Sequence, residues 1–440
     1  MEAKQPYCKP EVWGGIECTI NRVEHIFRDQ LEETGHYQRN DDIEKFAALG
    51  FDKMRYPVLW ERHQPHEDIP IDWRWITGQL NNLRKHAITP IAGLMHHGSG
   101  PAYTHLLDDD FPGKLANYAG MVAQQFPWLE YYTPVNEPLT TARFSGLYGH
   151  WYPHHTDELS CVKMVLNQVK GTILSMKKIR LINPSAKLVQ TEDLSKIHST
   201  PLLAYQADFE NQRRWLSYDL LCGKINKEHY FWQYLIDRGI KEADLFFFLQ
   251  NACPPEIMGF NYYVTSERYL DEDVETSPFF EGGNHRHRYK DVEAVRSGHA
   301  HGLALLLSEA WRRYQIPLAI TECHLNCSPG QQLRWLQETW ETCCHLNKIG
   351  IPVKAVTVWA LLGAYDWNSL LINNNHAYEP GAFDISGDNF RETELVNMIK
   401  NISSMGKCYH PLTSATGWWH RKETAFLNDL VIQIFEERLS

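Results

Sequence analysis

Apolar and polar positions along the chain switch between two periods. Short apolar runs predict strands at Glu11–Glu17 (EVWGGIE), Asp52–Trp60 (DKMRYPVLW), Ile88–His96 (ITPIAGLMH) and Tyr131–Glu137 (YYTPVNE). Four more follow at Ala186–Asp193 (AKLVQTED), Glu256–Tyr263 (EIMGFNYY), Pro317–Glu322 (PLAITE) and Val353–Leu361 (VKAVTVWAL). Between them, apolar residues recur at three- and four-residue steps in DDIEKFAAL, ITGQLNNLRKH, VKMVLNQVKGTILSMKKIR and QQLRWLQETWETCCHLNKI, the pattern of amphipathic helices. Strand–helix alternation implies parallel pairing through crossovers. Eight such units predict an α/β fold closed into a (β/α)8 TIM barrel, one domain over residues 1–440.

Two stretches break the alternation. Residues from about 264 to 295, charged and Gly-bearing, read as a long loop over the barrel mouth. Residues from about 422 to 438 (ETAFLNDLVIQIFEERL) read as a C-terminal amphipathic helix against the barrel wall.

Composition narrows the function. A net charge of −11 disfavours a nucleic-acid surface, which needs a positive field. No apolar run is long enough to span a bilayer, and MEAKQPYCKPEVW lacks the apolar core of a secretion signal. The ten cysteines lack zinc-type spacing and read as reduced thiols of a cytoplasmic protein. No Gly-rich dinucleotide fingerprint is present, so neither a cofactor nor a metal is expected. Aromatic content of 12% suits either a large core or a cleft with flat faces for sugar rings. The sequence leaves oligomeric state open.

A barrel carries its functional side chains at the C-terminal ends of the strands. Arg55, His96, Asn136, Glu137, Tyr263, Glu322 and Trp359 fall there. Glu137 and Glu322 are remote in sequence, yet closure brings both to one mouth, about 5 Å apart for a retaining glycosidase pair. Glycosidic cleavage needs one neutral and one ionised carboxyl. Arg55 could hold Glu322 ionised and Tyr263 could donate a hydrogen bond to it. Glu137, beside neutral Asn136, would feel the charge of Glu322 and keep its proton. The plain alternative for each glutamate is a buried carboxylate that fixes loops.

These segments resemble glycoside hydrolase family 1, the β-glucosidase-like enzymes. TPVNEP is similar to that family's Thr-x-Asn-Glu-Pro acid/base motif, LAITE to its Ile-Thr-Glu nucleophile motif, MRYPVLW to its second strand and GFNYYVTS to its sixth. WGGIECTIN corresponds to the first strand and VWALLGAYDW to the eighth, so the resemblance runs from about Trp13 to Asp384. It implies Glu137 as acid/base, Glu322 as nucleophile, and Arg55 and Tyr263 as the groups that place Glu322. Asn136 would meet the sugar 2-hydroxyl, His96 the ring hydroxyls, and Trp359 would form a platform. The substrate implied is a small β-linked glycoside, hydrolysed or transglycosylated by double displacement. The alternative is a barrel of the same fold that binds carbohydrate without catalysis.

Departures concentrate where the family reads its sugar. Asn21, followed by Arg22, replaces Gln; Asp366-Trp367 replaces Glu-Trp; His96-His97 replaces His-Trp; Cys323-His324 replaces Asn-Gly after the nucleophile. Asn21, His97, Asp366 and Trp367 are thus expected to line a reshaped sugar pocket. LINNNHAYEP lacks the Lys of the phospho-glycosidase clamp, which argues against a sugar phosphate. Other candidates are weaker. HRHRYK (His285–Lys290) could bind an acidic group but reads as a solvated charge run. HAH (His299–His301) falls in a helix-like segment, and a metal role is not expected. HWYPHH (His150–His155) lines the mouth or caps the next helix, and Glu192 with Asp193 reads as structural.

Overall fold

The computed structural model describes residues 9–274, 281–387 and 390–420. Eight parallel strands close into a barrel: β1 (Glu11–Gly15), β2 (Lys53–Pro57), β3 (Thr89–Gly93), β4 (Tyr131–Thr133), β5 (Lys187–Asp193), β6 (Ile257–Asn261), β7 (Leu318–Cys323) and β8 (Val353–Val358). Each neighbours the next in sequence, and β8 returns to β1 through Gly14 opposite Val358. The expected (β/α)8 barrel is the observed fold. The four helices predicted between strands are present, at Asp42–Ala47, Arg74–Lys85, Glu158–Ile182 and Pro329–Lys348.

Side-chain alternation builds the barrel's floor. Trp13, Ile91, Val189 and Ala319 come from β1, β3, β5 and β7 and form one buried layer, with Ala355 of β8 beside them. Such layers, drawn from alternate strands, make the interior a packed core rather than a pore. Above that layer the inward positions turn polar: Arg55 on β2, Thr191 on β5, Asn261 on β6 and Thr321 on β7, all buried. These are the positions from which the mouth is built.

The segment expected as a long loop over the mouth contains strands. Glu267–Asp271, Glu281–Gly283 and Arg288–Glu293 form a small sheet with Lys196–Ser199, which follows β5. His287 Nδ1 lies 2.9 Å from Tyr205 OH, and Lys290 Nζ lies 3.8 Å from Asp271. The HRHRYK stretch therefore runs from a turn into Arg288–Glu293, an inner strand of that sheet. His299 and His301 precede the helix Leu303–Tyr314 rather than lying within it. His299 stacks on Tyr269 and His301 meets His198 edge-to-face, and the described residues contain no cluster of three or more metal-ligating side chains. The C-terminal helix expected at about 422–438 lies outside the described residues. No described helix is long and apolar enough to cross a membrane.

Candidate active site

The site begins with two departures from regular strand geometry. On β7, Thr321 faces the interior, where its Oγ1 donates to Asn261 Oδ1 at 2.7 Å. Strict alternation would then turn Glu322 outward. The pairing register with β6 shifts between Ile320 and Glu322, and this bulge brings Glu322 inward as well. On β4 the ladder stops at Thr133, because Pro134 has no N–H to give. Single bridges from Asn136 to His96 and to Thr191 continue the line of the sheet and set those three residues at one level.

Glu137 follows in the left-handed region, at φ 46° and ψ 62°. Pro138 occupies the first helical position of Pro138–Ala142, where a missing N–H costs nothing. The residue before a proline is pushed out of the right-handed helical region, and here it is turned into the mouth. A non-glycine residue in that conformation stores about 1–3 kcal/mol of strain, a cost met where surrounding structure over-determines it.

Arg55 organises the centre. Its Nη1 donates to Glu322 Oε1 at 2.7 Å and to the Thr321 carbonyl at 2.8 Å. Its Nη2 donates to Asn136 Oδ1 at 2.7 Å, and the guanidinium lies 4.7 Å from the centre of the Trp359 ring. The Tyr263 hydroxyl donates to the other oxygen of Glu322. Glu137 Oε1 accepts from Asn261 Nδ2 at 2.5 Å, and its Oε2 lies 3.8 Å from His97 Nε2. Thr191 Oγ1 also donates to Asn136 Oδ1, at 2.7 Å. Both hydrogens of the Asn136 amide are directed at imidazoles, His96 Nε2 at 3.3 Å and His97 Nε2 at 3.2 Å. His96 lies parallel to Trp359 with ring centres 5.5 Å apart.

Burial raises the proton affinity of Glu137, and the charge of Glu322 raises it further, with Asp193 and Glu192 adding to it. Burial raises Glu322 too, but Arg55 and the Tyr263 hydroxyl oppose the shift. Of this pair, Glu137 holds its proton the more strongly, and Arg55 and Tyr263 favour the charged form of Glu322. Burial holds both imidazoles neutral, His97 down to about 3 and His96 well below its usual range. A small cavity beside them is lined by Cys18, Arg55, His96, Thr133, Asn136 and Trp359; neither Glu137 nor Glu322 lines it.

The remaining expected residues separate into two kinds. Trp367 lies partly buried beside His97, ring centres 5.5 Å apart. Asp366 is fully buried, and its carboxylate accepts from Arg28 Nη2 at 2.8 Å and from the N–H groups of Asn375, His376 and Ala377. It anchors its own loop. Asn21, also fully buried, donates to the Leu371 carbonyl at 3.5 Å. Of the HWYPHH stretch, Trp151 Nε1 donates to the Leu370 carbonyl at 2.7 Å, and His155 joins the cap of helix Glu158–Ile182 through Ser160.

Several contributors went unrecognised in the sequence. Asn261 stands inside the GFNYY motif yet reads there as one more strand residue, and Thr191 has no signal beyond alternation with Asp193. Glu192 and Asp193 part company. Glu192 turns outward and accepts from Leu139 N at 3.0 Å and Ser217 Oγ at 2.8 Å. Asp193 accepts from Ser266 Oγ at 2.6 Å and feels the charges of Arg143 and Glu322. His324 Nδ1 lies 3.1 Å from the Trp359 carbonyl and donates there, steadying that strand end.

No family model matches the chain. β-Glucosidase 1 of Oryza sativa subsp. japonica is 22% identical over 156 residues, a match that spans 33% of this chain and only 30% of that relative. Among solved structures, a family 1 β-glucosidase from Thermotoga maritima superposes with a TM-score of 0.71 at 16% identity, covering 90% of this chain and 98% of its own. The AHE enzyme from Alicyclobacillus herbarius gives a TM-score of 0.67 at 17% identity, covering 80% of this chain and 82% of its own. The chain therefore has the fold of the Thermotoga maritima family 1 β-glucosidase.

Proposed function

We propose that the protein is a retaining β-glycosidase acting on a small β-linked glycoside through a covalent glycosyl-enzyme. The observation that carries this reading is the unequal treatment of two buried carboxyls. Glu322 is gripped by the Arg55 guanidinium and the Tyr263 phenol, whereas Glu137 takes only the neutral Asn261 amide. A binding pocket has no use for such an asymmetry. Acid/base and nucleophile chemistry requires it.

In this mechanism Glu137 protonates the leaving oxygen while Glu322 attacks the anomeric carbon. The bond from that carbon to the leaving oxygen breaks as the bond to the Glu322 carboxylate forms. Esterification removes the charge of Glu322, which had held the proton on Glu137. Glu137, now the stronger acid, has released its proton to the departing alcohol. It then takes one from the incoming water or acceptor alcohol, whose oxygen bonds to the anomeric carbon as the bond from that carbon to the Glu322 carboxylate breaks. Asn136 meets the sugar 2-hydroxyl by giving up one of its imidazole contacts, His96 meets a ring hydroxyl, and Trp359 supplies the platform.

The test is a panel of 2-deoxy-2-fluoro β-glycosides with an activated leaving group, read by intact mass and peptide mapping. The expected result is a stable adduct on Glu322. Reversible sugar binding with no adduct from any member would overturn the assignment and leave a non-catalytic binding barrel.

A further inference from the structure

On β5 the inward positions are Val189 in the floor layer, then Thr191, which bonds Asn136, then Asp193. Alternation thus aims Asp193 into the mouth, roughly 6–7 Å beyond Thr191 along the strand. Pairing with β6 sets it opposite Asn261, whose amide donates to Glu137. Its Oδ1 accepts from Ser266 Oγ at 2.6 Å. Its Oδ2 has no hydrogen-bond partner among the described residues and keeps a face to solvent, on a side chain that is half-buried.

Arg143 comes six residues after Glu137, at the start of the π-helical turn Arg143–Leu147. Such turns widen a helix and recur at functional sites. Its neighbour Phe144 meets Trp151 edge-on with ring centres 4.8 Å apart, Trp151 meets His97 at 5.4 Å, and His97 Nε2 lies 3.8 Å from Glu137. Nε and Nη2 of Arg143 both donate to the Tyr148 hydroxyl, and Nη1 has no partner among the described residues. The charge of Arg143 reaches Asp193, and also Glu210, which Arg213 already holds at 2.6 Å. None of the described carboxylates pairs with Arg143.

A carboxylate and a guanidinium that sense each other without pairing offer an acceptor and donors to a third group. A hydroxyl satisfies both, because it donates to one and accepts from the other. An apolar group would strip water from both and replace nothing. In the mechanism above the glycone lies deeper, at the level of Asn136, His96 and Trp359. Glu137 hands its proton to the leaving oxygen, so the part of the substrate at the level of Asp193 is the leaving group.

We propose that Asp193 and Arg143 read the leaving group, and that the substrate is a glycoside of a hydroxyl-rich alcohol, a second sugar or a polyol, rather than of an apolar one. This rests on the glycosidase reading above.

The 2-hydroxyethyl and 2-methoxyethyl β-glycosides of one glycone test it, since their leaving alcohols are close in acidity and differ by one hydroxyl. Glucose serves as glycone, together with any glycone that labels Glu322. The hydroxyethyl member is expected to show a kcat/KM roughly 10–100-fold higher. Asp193→Ala should narrow that ratio by about tenfold, and Arg143→Met should narrow it as well. A merely structural role would lower both members together and leave the ratio alone. Equal turnover by the wild-type protein, preference for the methoxyethyl member, or an unchanged ratio in both variants overturns the proposal; the wild-type comparison stands whether or not a variant folds. Calorimetric binding of the S-linked disaccharide thiocellobiose, against methyl thio-β-glucoside, reads the contact without cleavage. If no glycoside is turned over, the glycosidase reading falls, and tighter binding of the thiodisaccharide that Asp193→Ala weakens still supports the pair. Equal or weaker binding of the thiodisaccharide, or binding of neither, overturns it.

Discussion

Arg55 and Glu322 form an ion pair of 2.7 Å with side chains only 6% and 4% exposed, and the same guanidinium reaches Asn136, the neighbour of Glu137. One cation thus links the residues of β2, β4 and β7 on which the proposed chemistry depends. Removing one partner of a buried pair leaves an uncompensated charge and costs about 3–5 kcal/mol.

Arg55→Met should therefore lower thermal stability and raise the proton affinity of Glu322. Because the charged carboxylate is the attacking form, the acidic limb of the kcat/KM profile should move to higher pH. A variant whose acidic limb stays in place would show that Arg55 does not set the ionisation of Glu322.

Replacing Glu137 with Ala should spare the first step on substrates whose leaving group needs no proton. Nitrophenyl glycosides should still label Glu322, and added azide should restore turnover as the β-glycosyl azide. Glu322→Ala should lose the first step on every leaving group. Equal losses in both variants, with no rescue, would count against the division of roles.

Several buried carboxyls outside the proposed pair make stability pH-dependent. Burial pushes Glu17 and Glu379 up to about 7 and Glu61 to about 8, with the charge of Glu322 adding to the shift at Glu17. A carboxyl whose folded pKa exceeds its unfolded value binds more protons when folded, so its contribution is complete below the unfolded pKa and lost as pH rises through the folded one. The melting temperature should fall between about pH 5 and pH 8. Glu17→Gln should flatten that slope; an unchanged slope would remove Glu17 as a contributor.

Gly15 stands where a methyl group would meet the Trp359 ring, with Cε3 at 2.5 Å. Gly15→Ala should displace the platform, at about 1–3 kcal/mol of overpacking. Substrate turnover should drop more than stability does, and the loss should appear with every glycone tried. Wild-type kcat/KM in a variant with lowered melting temperature would separate Trp359 from the sugar.

Asp366 and Glu322 illustrate what a linear reading captures. Glu322 ends an apolar run, which is enough to place it at a strand terminus, and the barrel then carries it to the mouth. Its inward aim depends on a one-residue register shift that no local pattern announces. Asp366 stands in an equally suggestive position, yet its carboxylate is taken by Arg28, a residue more than three hundred positions away. The described part of the mouth excursion holds strands where its sequence reads as loop, for a related reason. Its strands are completed by Lys196–Ser199, and pairing between distant segments leaves little trace in either one.

The sequence by itself determined the eight strands, the helices between them and the strand ends that face the mouth, because periodicity and turn chemistry act over a few residues. Tertiary structure decided which of those end residues meet each other and which are tied to the chain itself. Hydrogen bonds and ion pairs are short-ranged, so a side chain's role is settled by the neighbours that barrel closure brings within about 3 Å of it.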